Sequence, residues 1–205
     1  MSKQLGLGLK FRGGKRPGAG RPRTRPHPGL EGPGVPHVRR EELNGRDPVH
    51  ITLRVRPGLG YLRAQRQAAE IQRALRAARE KFGMRIIHFS IQGAHLHLIV
   101  EAADRAALSK GLQGLAIRLA RALNRLAANR RGPVFVDRYH AHVLESRRQV
   151  ANAVRYVLEN FRHHVREPEQ AEGADPLSSA AWQREPLAED APVVAPQTWK
   201  LRNPL

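Results

Sequence analysis

The sequence has no cysteine, only five Phe, three Tyr and two Trp in 205 residues, and half as many acidic as basic side chains. Without cysteine there can be no disulfide framework, thiolate-ligated zinc site or thiol nucleophile. Any chemistry must therefore come from His, Tyr, Ser or carboxylates. No stretch approaches the roughly 18 apolar residues of a membrane span, and the N-terminus has no apolar signal core. These absences lead us to expect a soluble, non-secreted protein with no membrane partner.

What is abundant is positive charge. Against 18 Asp+Glu stand 36 Lys+Arg, so the formal net charge is 36 − 18 = +18 with ten histidines counted as neutral. Such a surplus predicts salt-sensitive attraction to phosphate backbones and a cytoplasmic, nucleoid-associated location. It suits a ribosomal protein, a chromatin protein or a nuclease equally well. A hydrophobic content of 40% is enough to build a packed core somewhere in the chain.

Residues 1–47 are dominated by Gly, Pro and Arg and have no hydrophobic period. They read as a flexible basic arm, because such a composition buries too little apolar surface to offset chain entropy. Gly20-Arg21-Pro22 resembles the core of an AT-hook, and Arg16, Arg21 and Arg23 are its candidate DNA contacts. The alternative is a solvated tail that adds nonspecific phosphate affinity.

From residue 48 to about 166 the pattern is that of a folded domain. Val49, Ile51, Leu53 and Val55 alternate with polar residues, the period of a half-buried strand. Tyr61 to Phe82 predicts an amphipathic helix closed by Gly83. Met84–Gln92 and His95–Glu101 predict two strands joined by a Gly93-Ala94 hairpin turn. Arg105 to Ala128 predicts a second helix with a leucine stripe, Val134 to Val143 a further strand, and Arg147 to about His163 a third helix. The first six elements give an α+β, ferredoxin-like split βαβ fold: an antiparallel four-stranded sheet with helices on one face and an added C-terminal helix. Residues 167–205 read as an extension lying over the domain.

The chemistry concentrates on the strands. In His95-Leu96-His97-Leu98-Ile99-Val100 the two imidazoles share one face and the leucines the other. Two imidazoles two residues apart on a rigid strand can grip a divalent cation, although two ligands do not complete a site. His50, His88, His140 and His142 also fall in predicted strands. In the third helix Tyr156 and Asn160 are four residues apart, on one face. A phenol can attack phosphorus, and an amide oxygen suits a hard cation. Tyr139, beside His140, is the competing nucleophile, and Tyr61 reads as structural.

His95-Leu96-His97 followed by a helix bearing Tyr156-Val157-Leu158-Glu159-Asn160 resembles the HUH single-tyrosine transposases of the insertion-sequence 200/605 type. The subgroup closest in character is the REP-associated tyrosine transposases, although Phe161 stands where that subgroup usually has proline. The resemblance implies Tyr156 as the catalytic nucleophile and a Mg2+ or Mn2+ ion held by His95, His97 and Asn160. It implies a single-stranded DNA substrate, palindromic or hairpin-forming, cleaved through a 5′-phosphotyrosine, by a monomer or a homodimer. Arg54 and Arg138 are candidate strand contacts. The rival expectation is an inactive DNA- or RNA-binding protein of the same fold, or a basic ribosome-associated RNA binder.

Overall fold

The structure, a computed structural model, describes residues 42–161, 173–182 and 187–204. The candidate arm contacts Arg16, Arg21 and Arg23 lie outside the described residues. Five strands form one antiparallel sheet in the order β2-β3-β4-β1-β5, namely β1 Val49–Arg54, β2 Glu80–Lys81, β3 Met84–Ile91, β4 His95–Ala102 and β5 His140–Val143. Helices α1 Gln65–Ala78 and α2 Arg105–Leu126 cover one face, and α3 Arg147–Glu159 packs on the other. With β2 set aside, the order is that of the expected split βαβ arrangement.

The alternation in β1 and β4 divides the sheet into two faces. Ile51, Leu53, Leu96 and Leu98 join Ile71, Leu75, Leu112, Leu115 and Leu119 of the two helices in the main core. Ile99, of opposite parity to Leu98, turns to the second face and meets Val150 and Val157 of α3. Gly111 lets α2 settle closely on β3, since a Cβ there would lie 2.6 Å from the Cβ of Met84. Ser146 starts α3 as a capping box: its hydroxyl accepts the Gln149 N–H, and the Gln149 side chain accepts the Ser146 N–H.

Two expected boundaries move and one strand is interrupted, each for a physical reason. Helix α1 stops at Ala78, because the chain turns back at Phe82 (φ 56°) and Gly83 (φ 75°) to pair Glu80–Lys81 with Met84–Arg85. Phe82 therefore leaves the helical stripe and is exposed. The last strand begins only at His140: Val134 and Val136 are buried, but Phe135 makes a single bridge to Val55 and ladder pairing starts later. In β3 a bulge places both Ile87 and His88 opposite Ile99, so residues beyond it change face relative to those before it.

The C-terminal extension packs on the domain. Because β2 covers only the start of β3, the rest of that edge is open, and it is taken up by Leu177 O accepting Ile91 N–H, a Ser90–Ser178 bridge and Val194 N–H donating to Ile86 O. Buried Asp175 receives two hydrogen bonds from the Arg63 guanidinium at 2.9 and 3.0 Å. Glu101 accepts the Gln197 and Thr198 N–H groups ahead of a short helix, α4 Trp199–Arg202, whose Leu201 enters the α3 cluster. Lys200 donates to Asp47 and to Glu145 O. Burial alone would raise the Asp47 carboxyl, but the Lys200 and Asn44 hydrogen bonds outweigh it and hold its pKa below the usual value.

Candidate active site

Cross-strand register decides which side chains meet. His50 of β1 is opposite Ile99 and His142, Thr52 is opposite His97 and His140, and Arg54 is opposite His95. Partners across an antiparallel ladder project to the same side. His50, Thr52, Arg54, His95, His97, His140 and His142 therefore share the face that α3 covers in part, and the bulge brings His88 onto it too.

His97 is the centre of this cluster and is 5% exposed. Its Nδ1 lies 3.1 Å from His50 Nε2 and 3.3 Å from Thr52 Oγ1, and its Nε2 lies 3.5 Å from the phenol oxygen of Tyr156. The His95 ring stands at 88° to that of His97, with centroids 4.8 Å apart. Tyr156 packs edge-on to both His97 and His50 while remaining 44% exposed. Its hydroxyl is thus beside the buried imidazole and its ring is reachable from outside, in a shallow recess with Asn152, Arg155 and Glu159.

Burial keeps two of the histidines on this face neutral. Burial, with smaller contributions from His142 and His140, lowers the His50 pKa to about 4. Burial alone lowers His88 to about 4. His88 is sealed off, with Nδ1 3.2 Å from Ser179 Oγ in the 3-10 turn Ser179–Trp182. It shares the face without sharing the opening.

Asn160 caps the C-terminal end of α3 and is 3% exposed. Among the described residues its Nδ2 has no hydrogen-bond partner. An unpartnered buried NH2 is a donor and calls for an acceptor; a cation would be met by the carboxamide oxygen instead. No three His, Cys, Asp or Glu side chains converge as a metal group among the described residues. Imidazole nitrogens, as on His95 and His97, and a carboxamide oxygen, as on Asn160, are donor types that suit a divalent ion.

The other sequence candidates separate cleanly. Arg54 is exposed beside His95 on the site face. Arg138 instead lines a cleft of about 970 Å³ with Asp104, Ser109, Gln113 and Tyr139, and none of the site histidines borders it. Tyr139 packs against the main core, on the face opposite the histidines. Tyr61 lies over Gly93, at the β3–β4 turn. Tyr156 is placed against the histidine cluster, edge-on to His50 and His97. Sequence reasoning put His50 on the polar face of β1 but gave neither it nor Thr52 a place beside His97; that contact depends on the β1–β4 register.

A family model described as "Transposase IS200 like" matches residues 47–160. Among solved structures, a REP-associated tyrosine transposase bound to a REP hairpin superposes with a TM-score of 0.53 at 15% identity, covering 71% of this chain and 82% of that one. A transposase from Deinococcus radiodurans R1, described only as a possible one, gives 0.41 at 15% identity over 64% of this chain and 96% of that one. No curated protein matches the sequence.

Proposed function

This chain belongs to the IS200-like transposase family, whose members act on DNA, and we propose that it cuts and rejoins single-stranded DNA through a covalent bond to Tyr156. The observation that carries this reading is the half-exposed Tyr156 phenol 3.5 Å from Nε2 of buried His97. The tyrosine oxygen attacks the scissile phosphorus and the P–O3′ bond breaks. The products are a 5′-phosphotyrosine and a free 3′-hydroxyl, which takes up the proton that the phenol releases to water. Reversal with another 3′-hydroxyl rejoins strands without external energy, because one phosphodiester replaces another.

His95, His97 and Asn160 would hold the metal. A Mg2+ or Mn2+ ion bound there would supply positive charge to the attacked phosphate. The remaining work is done by the chain itself. Helix α3, fixed by its capping box and by Val150 and Val157, sets the phenol against the sheet. Exposed Arg54, across from His95, would hold a backbone phosphate of the strand. Arg16, Arg21 and Arg23 would add salt-sensitive contacts along flanking DNA. A protein of the same fold is bound to a REP hairpin, and we take palindromic, hairpin-forming DNA as the substrate class for this chain as well.

The test is incubation with end-labelled, palindrome-bearing single-stranded DNA and Mg2+ or Mn2+, followed by a denaturing gel. The expected outcome is a covalent adduct that disappears in Tyr156→Phe while DNA binding persists. An undiminished adduct in that variant contradicts the nucleophile assignment. Binding without any adduct across palindromic substrates would leave a DNA-binding protein of this fold.

A further inference from the structure

Both ring nitrogens of His97 have neighbours, so the position of its single proton matters. A neutral imidazole carries one N–H and one lone pair. With the proton on Nε2, the nitrogen facing Tyr156 would have no lone pair to offer a phenol proton or a cation. Only the Nδ1–H form leaves that lone pair free. The choice is therefore made on the far side of the ring, where His50 Nε2 lies at 3.1 Å and Thr52 Oγ1 at 3.3 Å. A hydroxyl can donate or accept and so imposes neither form. A second imidazole can also take either role, but with its own proton on Nδ1 His50 offers only a lone pair at Nε2 and can only accept.

The register explains why His50 can do this. It sits two residues from Thr52, the direct cross-strand partner of His97, so it reaches His97 along the diagonal of the ladder. The two rings are 5.2 Å apart and inclined by 30°, a tilted approach that leaves nitrogen facing nitrogen. Hydrogen bonds to the far nitrogen of a ligating histidine commonly fix its tautomer and orientation.

We propose that His50 is a positioning residue: its Nε2 accepts the Nδ1–H of His97 and so holds His97 in the tautomer whose Nε2 lone pair faces Tyr156. This rests on the reading of His97 and Tyr156 given above, but it can fail or succeed separately from it.

The experiment is long-range proton–nitrogen correlation NMR on the metal-free, full-length protein, with the His97 signals identified by their loss in His97→Gln. Wild type should carry the His97 proton on Nδ1. His50→Phe, which keeps a flat ring but has no acceptor, should shift the population toward Nε2–H. It should also weaken Mn2+ binding, read by paramagnetic resonance of the free ion, by about 10- to 100-fold. His50→Gln, which restores an acceptor oxygen, should recover both, and Thr52→Val should leave both unchanged. A wild-type protein with its proton on Nε2 overturns the proposal whatever the variants do. So does a folded His50→Phe that keeps Nδ1–H and full Mn2+ affinity. Absence of Mn2+ binding to wild type would count against the metal reading, while the tautomer result still decides the role of His50.

Discussion

Acidification should unfold this protein partly through one histidine that performs no chemistry. His88 is closed in beneath the Ser179–Trp182 turn, and burial lowers its pKa to about 4, whereas an unfolded chain has the ordinary value of 6.5. At pH 7 the ring is neutral in both states, so folding carries no protonation cost. As the pH falls below 6.5 the unfolded chain binds a proton that the folded one refuses, and stability drops until the folded pKa is reached. A shift of this size is worth about 2 kcal/mol at pH 5 and about 3 kcal/mol by pH 4. His50 adds a loss in the same window, since burial lowers it to about 4 too. Asp47, held below its usual value, loses its contribution only at lower pH. The assay is urea denaturation of wild type and His88→Gln at pH 7 and pH 5. The variant should lose clearly less stability between the two pH values, by about 2 kcal/mol. Equal losses in the two proteins would refute the view that His88 is buried and neutral.

Two further substitutions probe how the sheet is covered. Gly111→Ala should cost about 1–3 kcal/mol in thermal or urea unfolding, because the new methyl would sit 2.6 Å from Met84 Cβ, which cannot swing aside as a side-chain tip could; an unchanged midpoint would mean that α2 does not approach β3 this closely. Asp175→Asn should destabilise by about 1–3 kcal/mol, since it removes the charge that pairs with partly buried Arg63, which keeps its hydrogen bond to Ile91 O. Proteolysis should then cut first within the C-terminal extension, and a variant as stable and protease-resistant as wild type would contradict that anchoring role.

How far the sequence disclosed this arrangement varies by element. The Val49–Ile51–Leu53 alternation and the leucine stripe of α2 announce their elements because each repeats the period of the structure it forms. The His-Leu-His order likewise puts two imidazoles on one face without knowledge of the fold. The bulge at Ile87–His88 is different: the histidine pattern groups His88 with the others, but a strict period of two counted from Ile86 would turn it to the helix-covered face, and only pairing with β4 reveals the extra residue. The contact of His50 with His97 is also a matter of register, which no local pattern encodes. Strand β2 escaped notice because two exposed residues carry no periodicity and are held by a turn at Phe82–Gly83. Arg138, read from the sequence beside the last strand, lines a cleft next to α2 because the chain only joins the ladder two residues later. The C-terminal extension is held by backbone hydrogen bonds and by the buried carboxylates Asp175 and Glu101, interactions that leave no hydropathy pattern.

The central claim is that Tyr156 bonds covalently to DNA, and peptide mass spectrometry tests it most directly. After reaction with single-stranded palindromic DNA and Mn2+, nuclease trimming and protease digestion, the account predicts a nucleotide remnant joined through phosphate to Tyr156 in the peptide containing Val154 to Asn160. A remnant on Tyr139, Tyr61 or any serine instead would contradict it.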